Sequence, residues 1–287
     1  MNYAALIENR KSVRAFRGQQ VPASDLQEIR RFYEKSCHRL VPELATELVI
    51  LDTASGKALV GAAGYQDDLV GAPHYLVLLS EKHPHAGENA GFMMEDLILK
   101  LTDLGLSSCW ITYADGDKVK KALGLNSPLE IAAIAAFGYG ERTQKKLRLN
   151  ILSMSCVDII AQRGYYAQKK DVNELVFVDQ LHHTQGLDER IGFYEDMLWQ
   201  SFYAVSRTPS FLNRQPFAFL LKDQDLVLVR LADPYTDDAS AGLNLGIAML
   251  HFSAVAEQWV GRIRWDLDAS PALELPEGDS VAAVYHM

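Results

Sequence analysis

The sequence reads Thr208-Pro209-Ser210-Phe211-Leu212-Asn213-Arg214-Gln215-Pro216-Phe217 in its last third, and this stretch decides the fold. Its prolines bracket a run of small polar groups and amides. Because a proline fixes its own backbone φ angle, the loop between them is stiff and can aim the side chains of Asn213 and Gln215. The stretch therefore predicts a ligand-binding loop. The alternative interpretation is a rigid turn between a helix and a strand.

A second informative segment, near the start of the chain, reads Asn9-Arg10-Lys11-Ser12-Val13-Arg14. It supplies three cations and a hydroxyl within five residues, a set suited to a phosphate and to an electron-rich ring edge. The alternative interpretation is a solvated basic turn that pairs with nearby acidic side chains.

Together the two segments resemble the FMN-dependent nitroreductase family, in its single-chain, thermophile-type branch. In that family an Arg-Arg/Lys-Ser-x-Arg segment grips the flavin. A Pro-Ser-x-x-Asn-x-Gln-Pro-Trp loop from the other subunit closes the same site. Because one chain carries both segments, the resemblance implies a fused pseudo-dimer with one flavin per chain. This chain departs from the pattern at Phe217, where Trp is usual, and at Phe211, whose bulk would narrow the pocket.

The resemblance also implies roles for individual residues. Arg10 would hold the FMN phosphate and Ser12 would add a hydroxyl donor. Arg14 would lie near the pyrimidine edge, where a cation stabilises the reduced, anionic flavin. The stretch from Gly105 to Tyr113 resembles the family's Gly-Leu-Gly-x-Cys-Trp strand, with Ser107 in place of the second Gly, and its backbone N–H groups would polarise the flavin N5.

A further phosphate-binding cation is expected on resemblance, and the sequence offers more than one source. Lys169 begins a Lys-Lys-Asp-Val-Asn-Glu-Leu run that loosely fits the family pattern, whereas Lys145 and Lys146 with Arg148 form a rival cluster. We favour Lys169. The cofactor-binding set implied by the resemblance is Arg10, Lys11, Ser12, Arg14, Thr112, Tyr113, Lys169, Pro209, Ser210, Phe211, Asn213 and Gln215.

The sequence also repeats itself weakly. One offset of 155 residues relates Asn89 to Asn244 and Trp110 to Trp265, and each Asn begins a long apolar helix pattern. Two copies of one αβ unit follow, packed through helices near 89–104 and 244–260. We predict an α+β, nitroreductase-like fold with mainly antiparallel sheets flanked by helices. Residues 1–150 would form the first half, 151–186 a connector and 187–287 the second half.

Composition restricts the function class. The chain has 287 residues, is 48% hydrophobic, and carries a net charge of −9, which argues against a nucleic-acid partner. No uninterrupted apolar run of about 18 residues predicts a membrane span, and no signal peptide is evident. The three widely separated cysteines indicate reduced thiols. We expect a cytoplasmic monomer.

The resemblance implies an enzyme that binds FMN non-covalently. NAD(P)H would act as a transient electron donor, and a nitroaromatic or quinone-like small molecule would be the acceptor. Because the flavin performs the chemistry, no catalytic side chain is expected. No metal site is expected either, since His182 and His183 lack ligand spacing. Two alternatives stay open: a flavin- or ligand-binding module without turnover, and a specialised flavin chemistry such as reductive dehalogenation.

Overall fold

The computed structural model describes residues 1–66, 68–141, 145–153, 156–163, 168–192 and 196–287, with the side chains of 145–153 and 156–163 left out of the description. The helices are α1 Tyr3–Asn9, α2 Ala23–Lys35, α3 Thr53–Gly56, α4 Ala86–Asp103, α5 Gly116–Leu123, α6 Leu187–Ile191, α7 Met197–Ser206 and α8 Asp238–Ala256. The strands are β1 Thr46–Leu51, β2 His74–Ser80, β3 Ser107–Ile111, β4 Glu130–Gly138, β5 Lys145–Ser153, β6 Cys156–Arg163, β7 Val176–Val178, β8 Phe217–Lys222, β9 Asp225–Arg230 and β10 Ser280–His286.

The strands form two four-stranded sheets and one pair. The first sheet has the order β1-β2-β4-β3 and the second β10-β9-β8-β7, while β5 pairs with β6. Neighbouring strands run antiparallel, except that β7 pairs with β8 in parallel. The predicted mainly antiparallel sheets are confirmed.

The two halves repeat one order of elements. β1, β2, α4 and β4 in the first half recur as β8, β9, α8 and β10 in the second. An antiparallel bridge from Asp266 to Val284 of β10 takes the place in the second half that the pairing of β3 with β4 has in the first half. Strand β7 comes from the predicted connector and extends the second sheet. The halves are thus two versions of one unit joined in a single chain.

The long helices α4 and α8 pack against each other at very short range. A Cβ atom on Gly91 would lie 2.2 Å from the Leu243 carbonyl oxygen, and one on Gly246 would lie 2.0 Å from the Glu88 carbonyl oxygen. Only glycine allows the two backbones to approach this closely. The expectation that the halves pack through these helices is confirmed. Helix α8 begins earlier than expected because the Asp237 side chain caps it by accepting from the Ser240 N–H.

Apolar cores lie between each sheet and its long helix. In the first half, Leu76, Met93 and Phe137 are fully buried; in the second half, Phe219 and Phe252 are fully buried. By length and composition alone, α8 could cross a membrane, yet 83% of its apolar window is buried inside the protein. A central core helix passes the same test, so this is weak evidence for a span.

Two further expectations concern the connector and the cysteines. The expected boundary between residues 150 and 151 falls inside β5, whose hairpin partner is β6. The division into halves and connector stays a prediction. Cys37 and Cys109 are buried free thiols, and the side chain of Cys156 lies outside the described residues.

Candidate functional site

A large cleft of about 2170 Å³ lies between the two halves, and segments from both halves line it. Eleven predicted site residues lie in its wall: Arg10, Lys11, Ser12, Arg14, Thr112, Tyr113, Lys169, Pro209, Ser210, Phe211 and Asn213. The basic segment (residues 9–14) and the proline-bracketed loop (residues 208–217) therefore meet in space at this cleft, as the sequence predicts. Their contact with a cofactor stays a prediction.

The basic segment follows directly from the end of α1. The Arg10 N–H donates to the Leu6 carbonyl, which closes the helix. The Val13 N–H then donates to the Ser108 carbonyl, and Ser12 forms a parallel bridge with Ser108. These bonds hold the segment alongside β3. The Arg10 side chain is only 7% exposed, whereas the neighbouring cation Arg14 is exposed at the cleft.

A buried carboxylate, Glu95 of α4, anchors Arg10. Glu95 Oε1 lies 3.3 Å from Arg10 Nε, and Glu95 Oε2 accepts from Trp110 Nε1 at 2.8 Å. Across the junction between the halves, His251 Nε2 of α8 lies 3.2 Å from Glu95 Oε1. Burial alone would raise the pKa of Glu95, but the charge of Arg10 and the bonds from His251 and Trp110 lower it below its usual value. Glu95 is therefore ionised at neutral pH.

His251 extends this network towards the proline-bracketed loop of the second half. Its Nδ1 atom lies 3.1 Å from the Ala204 carbonyl oxygen and 3.2 Å from Thr208 Oγ1, at the start of the proline-bracketed loop. A chain of polar contacts thus joins Arg10 to that loop. Sequence reasoning missed Glu95 and His251, because the sequence does not show which residues of two separate helices come into contact.

The loop itself holds an uncommon backbone shape. Leu212, Asn213 and Gln215 have φ angles of 48°, 57° and 47°, in the left-handed region that non-glycine residues rarely adopt. Two bonds fix it: the Gln215 N–H donates to Ser210 Oγ at 2.8 Å, and the Phe211 N–H donates to Asn244 Oδ1 at 3.0 Å.

The anchor of this loop explains a landmark of the sequence repeat. Asn244 lies on α8, and its counterpart Asn89 on α4 accepts in the same way from the N–H groups of Leu40 and Val41 at 3.0 Å. Each long helix therefore uses a buried Asn to hold the loop that precedes the first strand of its own half.

The side chain of Gln215 points into the protein beneath its own loop and does not line the cleft. Its side chain is fully buried, with Nε2 donating to the Ser206 carbonyl at 3.0 Å and Oε1 accepting from the Lys170 N–H at 2.9 Å. In the structure this amide ties the loop to residues 168–170. The predicted contact of Gln215 with a cofactor has no support from this placement and stays a prediction.

Lys169, the favoured source of a further phosphate-binding cation, lies in the wall of the cleft. Its Nζ donates to the Thr208 carbonyl at 2.8 Å and to Asn213 Oδ1. Burial, with the positive charges of Arg10 and Arg207, lowers its pKa to about 8 against the pull of Glu95. The side chains of the rival cluster at 145–148 lie outside the described residues.

Arg207 is a cleft residue that sequence reasoning missed, although it directly precedes the proline-bracketed loop. Its guanidinium lies 4.7 Å from the centroid of the Tyr203 ring, and both residues line the cleft. Among the described residues, Arg10 Nε, Arg207 Nε and Asn244 Nδ2 are buried donors without a hydrogen-bond partner of good geometry. Buried donors without partners are costly, so this wall suits an anionic group rich in acceptors. A phosphate fits that requirement.

The end of β3 forms the inner wall. The Thr112 carbonyl accepts from the Gly64 N–H at 2.7 Å. The Tyr113 hydroxyl donates to the Ile131 carbonyl at 2.7 Å, and burial raises the pKa of Tyr113 to about 12. The Tyr113 side chain is therefore committed to packing, so a contribution to ligand binding would come from its backbone. In the described part of the chain, no His, Cys, Asp and Glu side chains group in a way that could hold a metal.

Comparison with known proteins identifies similar chains. A family model described as "Putative TM nitroreductase" matches residues 2–256. A "putative nitroreductase" from Thermotoga maritima aligns with 100% of this chain and 94% of its own, with a TM-score of 0.59 at 18% identity. A nitroreductase with bound FMN from Bacteroides fragilis aligns with 56% of this chain and 99% of its own, with a TM-score of 0.43 at 21% identity. No curated protein sequence matches. The resemblance inferred from the two segments is confirmed, as is the nitroreductase-like fold in two halves.

Proposed function

Because the chain belongs to the family described as "Putative TM nitroreductase", we propose that it is an FMN-dependent oxidoreductase. The proposed electron donor is NAD(P)H, and the proposed acceptor is a nitroaromatic or quinone-like small molecule. Membership of the family supports a flavin oxidoreductase in general. The observation that carries the finer proposal is the cluster of three cations, Arg10, Lys169 and Arg207, in one cleft, where the buried Nε of Arg207 lacks a hydrogen-bond partner among the described residues.

These residues would divide the work of holding the cofactor. Arg10, Lys169 and Arg207 would bind the phosphate, and the proline-bracketed loop would close over it. Arg14, exposed at the cleft, would stabilise negative charge on the ring edge. When bound, FMN would supply hydride acceptance from NAD(P)H and electron delivery to the acceptor. The protein's own contribution is to bind and orient the partners, so no side chain is proposed as a catalytic acid or base.

A titration of the flavin-free protein with FMN and with riboflavin tests this proposal. Riboflavin lacks the phosphate, so Arg207→Gln and Lys169→Gln should each weaken FMN binding roughly tenfold or more while leaving riboflavin binding nearly unchanged. Arg31→Gln is the matched control, because Arg31 is an exposed surface residue paired with Glu28. Protein that is colourless and takes up no FMN would overturn the proposal.

The alternative, a flavin-binding module without turnover, is favoured by one observation. The Phe211 and Tyr65 rings, with centroids 6.3 Å apart, place two bulky side chains in the wall of the cleft. Oxidation of NAD(P)H in the presence of a quinone or nitrofurazone separates the two functions. A bound flavin that NAD(P)H cannot reduce would favour the module.

The single-chain arrangement leads to a further proposal about assembly. The α4–α8 junction already lies within one chain, so we expect a monomer with one FMN per chain. Light scattering that shows an obligate dimer, or two flavins per chain, would contradict this. We also propose a cytoplasmic location, with neither nucleic acid nor a membrane as partner.

A further inference from the structure

A buried carboxylate contacts the first cation of the basic segment from the side away from the cleft. Glu95 of α4 is fully buried and does not line the cleft, whereas Arg10 does. The contact is made at the guanidinium nitrogen nearest the main chain, since Glu95 Oε1 lies 3.3 Å from Arg10 Nε. Among the described residues, no hydrogen bond or ion pair occupies the two terminal nitrogens of Arg10, Nη1 and Nη2. Those nitrogens are left for an acceptor in the cleft.

The carboxylate is itself held from two further sides. Trp110 Nε1 donates to Glu95 Oε2 at 2.8 Å, and His251 Nε2 lies 3.2 Å from Glu95 Oε1. Trp110 lies on β3 of the first half and His251 on α8 of the second. Because each oxygen has a buried partner, the carboxylate cannot rotate without leaving a buried polar group unpaired, which is costly. Glu95 is therefore a fixed reference point for the Arg10 side chain.

The same carboxylate connects Arg10 to the proline-bracketed loop. His251 is fully buried, and its second nitrogen, Nδ1, lies 3.2 Å from Thr208 Oγ1. Lys169 Nζ in turn donates to the Thr208 carbonyl at 2.8 Å. Two of the proposed phosphate-binding cations are thus joined by buried polar contacts that run from the first half to the second.

We propose that Glu95 is the positioning residue of the phosphate site: it orients Arg10, and His251 links that orientation to the loop. Because the phosphate would be that of FMN, this role rests on the proposed function. Charge alone predicts the opposite effect, since a nearby carboxylate repels a phosphate and its removal should tighten binding. Positioning predicts weaker binding after its removal, because an arginine free to rotate loses the fixed geometry of a charge-assisted hydrogen bond. The sign of the change in affinity separates the two roles.

Titration of the flavin-free chain with FMN and with riboflavin measures that sign. Glu95→Gln should weaken FMN binding roughly tenfold while changing riboflavin binding less than about twofold. Glu95→Asp keeps the charge but withdraws it by about 1.5 Å, so it should weaken FMN binding as well. In the Arg10→Gln background, Glu95→Gln should have almost no further effect on FMN binding, because the side chain that it positions is already absent.

Asp96→Asn is the matched control. Asp96 is the next residue on α4 and is equally buried, but its carboxylate contacts Tyr3 and His38 and does not line the cleft. This variant should keep the ratio of FMN affinity to riboflavin affinity unchanged, whatever the change in its melting temperature. Melting curves of each variant check folding.

His251→Phe is the second variant, and it decides the question if Glu95→Gln does not fold. It leaves Glu95 and Arg10 in place and removes the nitrogens that face Glu95 and Thr208, so FMN binding should weaken roughly two- to fivefold with riboflavin binding unchanged. Unchanged FMN binding in this variant would overturn the link to the loop.

Three results would overturn the positioning role of Glu95. They are FMN binding that is tighter or unchanged in Glu95→Gln, equal losses for FMN and riboflavin, and an undiminished effect of Glu95→Gln in the Arg10→Gln background. Failure of the wild-type chain to take up FMN would instead overturn the proposed function, and the wild-type titration reports that separately.

Discussion

The substitution Gly246→Ala should reverse the usual effect of replacing glycine in a helix. In an ordinary helix interior this change stabilises by about 1 kcal/mol. Here the new Cβ would lie 2.0 Å from the Glu88 carbonyl oxygen and 2.8 Å from the Phe92 nitrogen. Both neighbours are backbone atoms, so no side-chain rotation relieves the clash. Helices α4 and α8 must separate by roughly 1 Å or more, which forfeits contacts along their junction.

We expect a net loss of about 2–3 kcal/mol in the free energy of unfolding, because overpacking strain and lost contacts outweigh the gain in helix propensity. The melting temperature should fall by roughly 5–10 °C. Denaturant and thermal unfolding measure both quantities. The cleft lies across the same junction, so FMN affinity should fall as well.

Gly116→Ala is the matched control for this substitution. Gly116 is the first residue of helix α5, and a Cβ atom there would meet Ile131 Cβ at an ordinary contact distance of 3.5 Å. This variant should be as stable as wild-type protein or slightly more so. The reasoning about the junction is refuted if Gly246→Ala is as stable as wild-type protein. It is also refuted if Gly116→Ala loses as much stability as Gly246→Ala.

Three further predictions concern ionisable groups. Glu95→Gln removes a buried negative charge that faces Arg10 and His251, so urea unfolding should show a loss of about 3–5 kcal/mol in the free energy of unfolding. Glu34→Gln, at an exposed position, is the control and should be nearly neutral. The pKa of Lys169 is lowered from 10.5 to about 8, so FMN binding to the flavin-free protein should weaken as pH rises through about 8, whereas riboflavin binding should not. Lys169→Met should abolish that pH dependence. Between about pH 8 and 10.5 the unfolded chain binds more protons at this lysine than the folded protein does, so this group makes stability rise with pH across that window. The hydrogen bond to Asp96 raises the pKa of His38 above 6.5. The contribution of protonated His38 to folding stability is therefore complete below pH 6.5 and is lost as pH rises through the higher pKa of the folded state. Unfolding curves from about pH 6 to about pH 8 should show this loss of stability, and Asp96→Asn should flatten the pH dependence.

The elements of the fold followed from local pattern because each reports its own burial. The apolar spacing of α4 and the continuous apolar run of β2 are visible in the sequence, and the helix expected near 89–104 matches α4, which spans Ala86–Asp103. The start of α8 was missed because its first turn is set by one capping side chain, Asp237, and not by apolar periodicity. A single hydrogen bond leaves little trace in a periodic pattern.

The site was predictable where residues lie next to a motif and not where they meet across the molecule. Arg10 and Lys169 follow from their own segments. Glu95 and His251 are 156 residues apart and pair only because α4 crosses α8. Gln215 shows the opposite limit: the motif singles it out as a binding residue, which stays a prediction, and the turn directs its amide inward to the Lys170 N–H. Sequence identifies such a residue without fixing the direction of its side chain.

Because both halves lie in one chain, the residues at the equivalent positions 96 and 251 can differ. They are related by the same offset as the repeat, and each lies beside the first residue of an equivalent loop: Asp96 bonds His38, and His251 contacts Thr208. In an assembly of identical chains, every mutation appears in both places at once, so an acid on one side obliges an acid on the other. Here one side carries a carboxylate and the other an imidazole. Each junction can therefore carry its own charge, independently of the other.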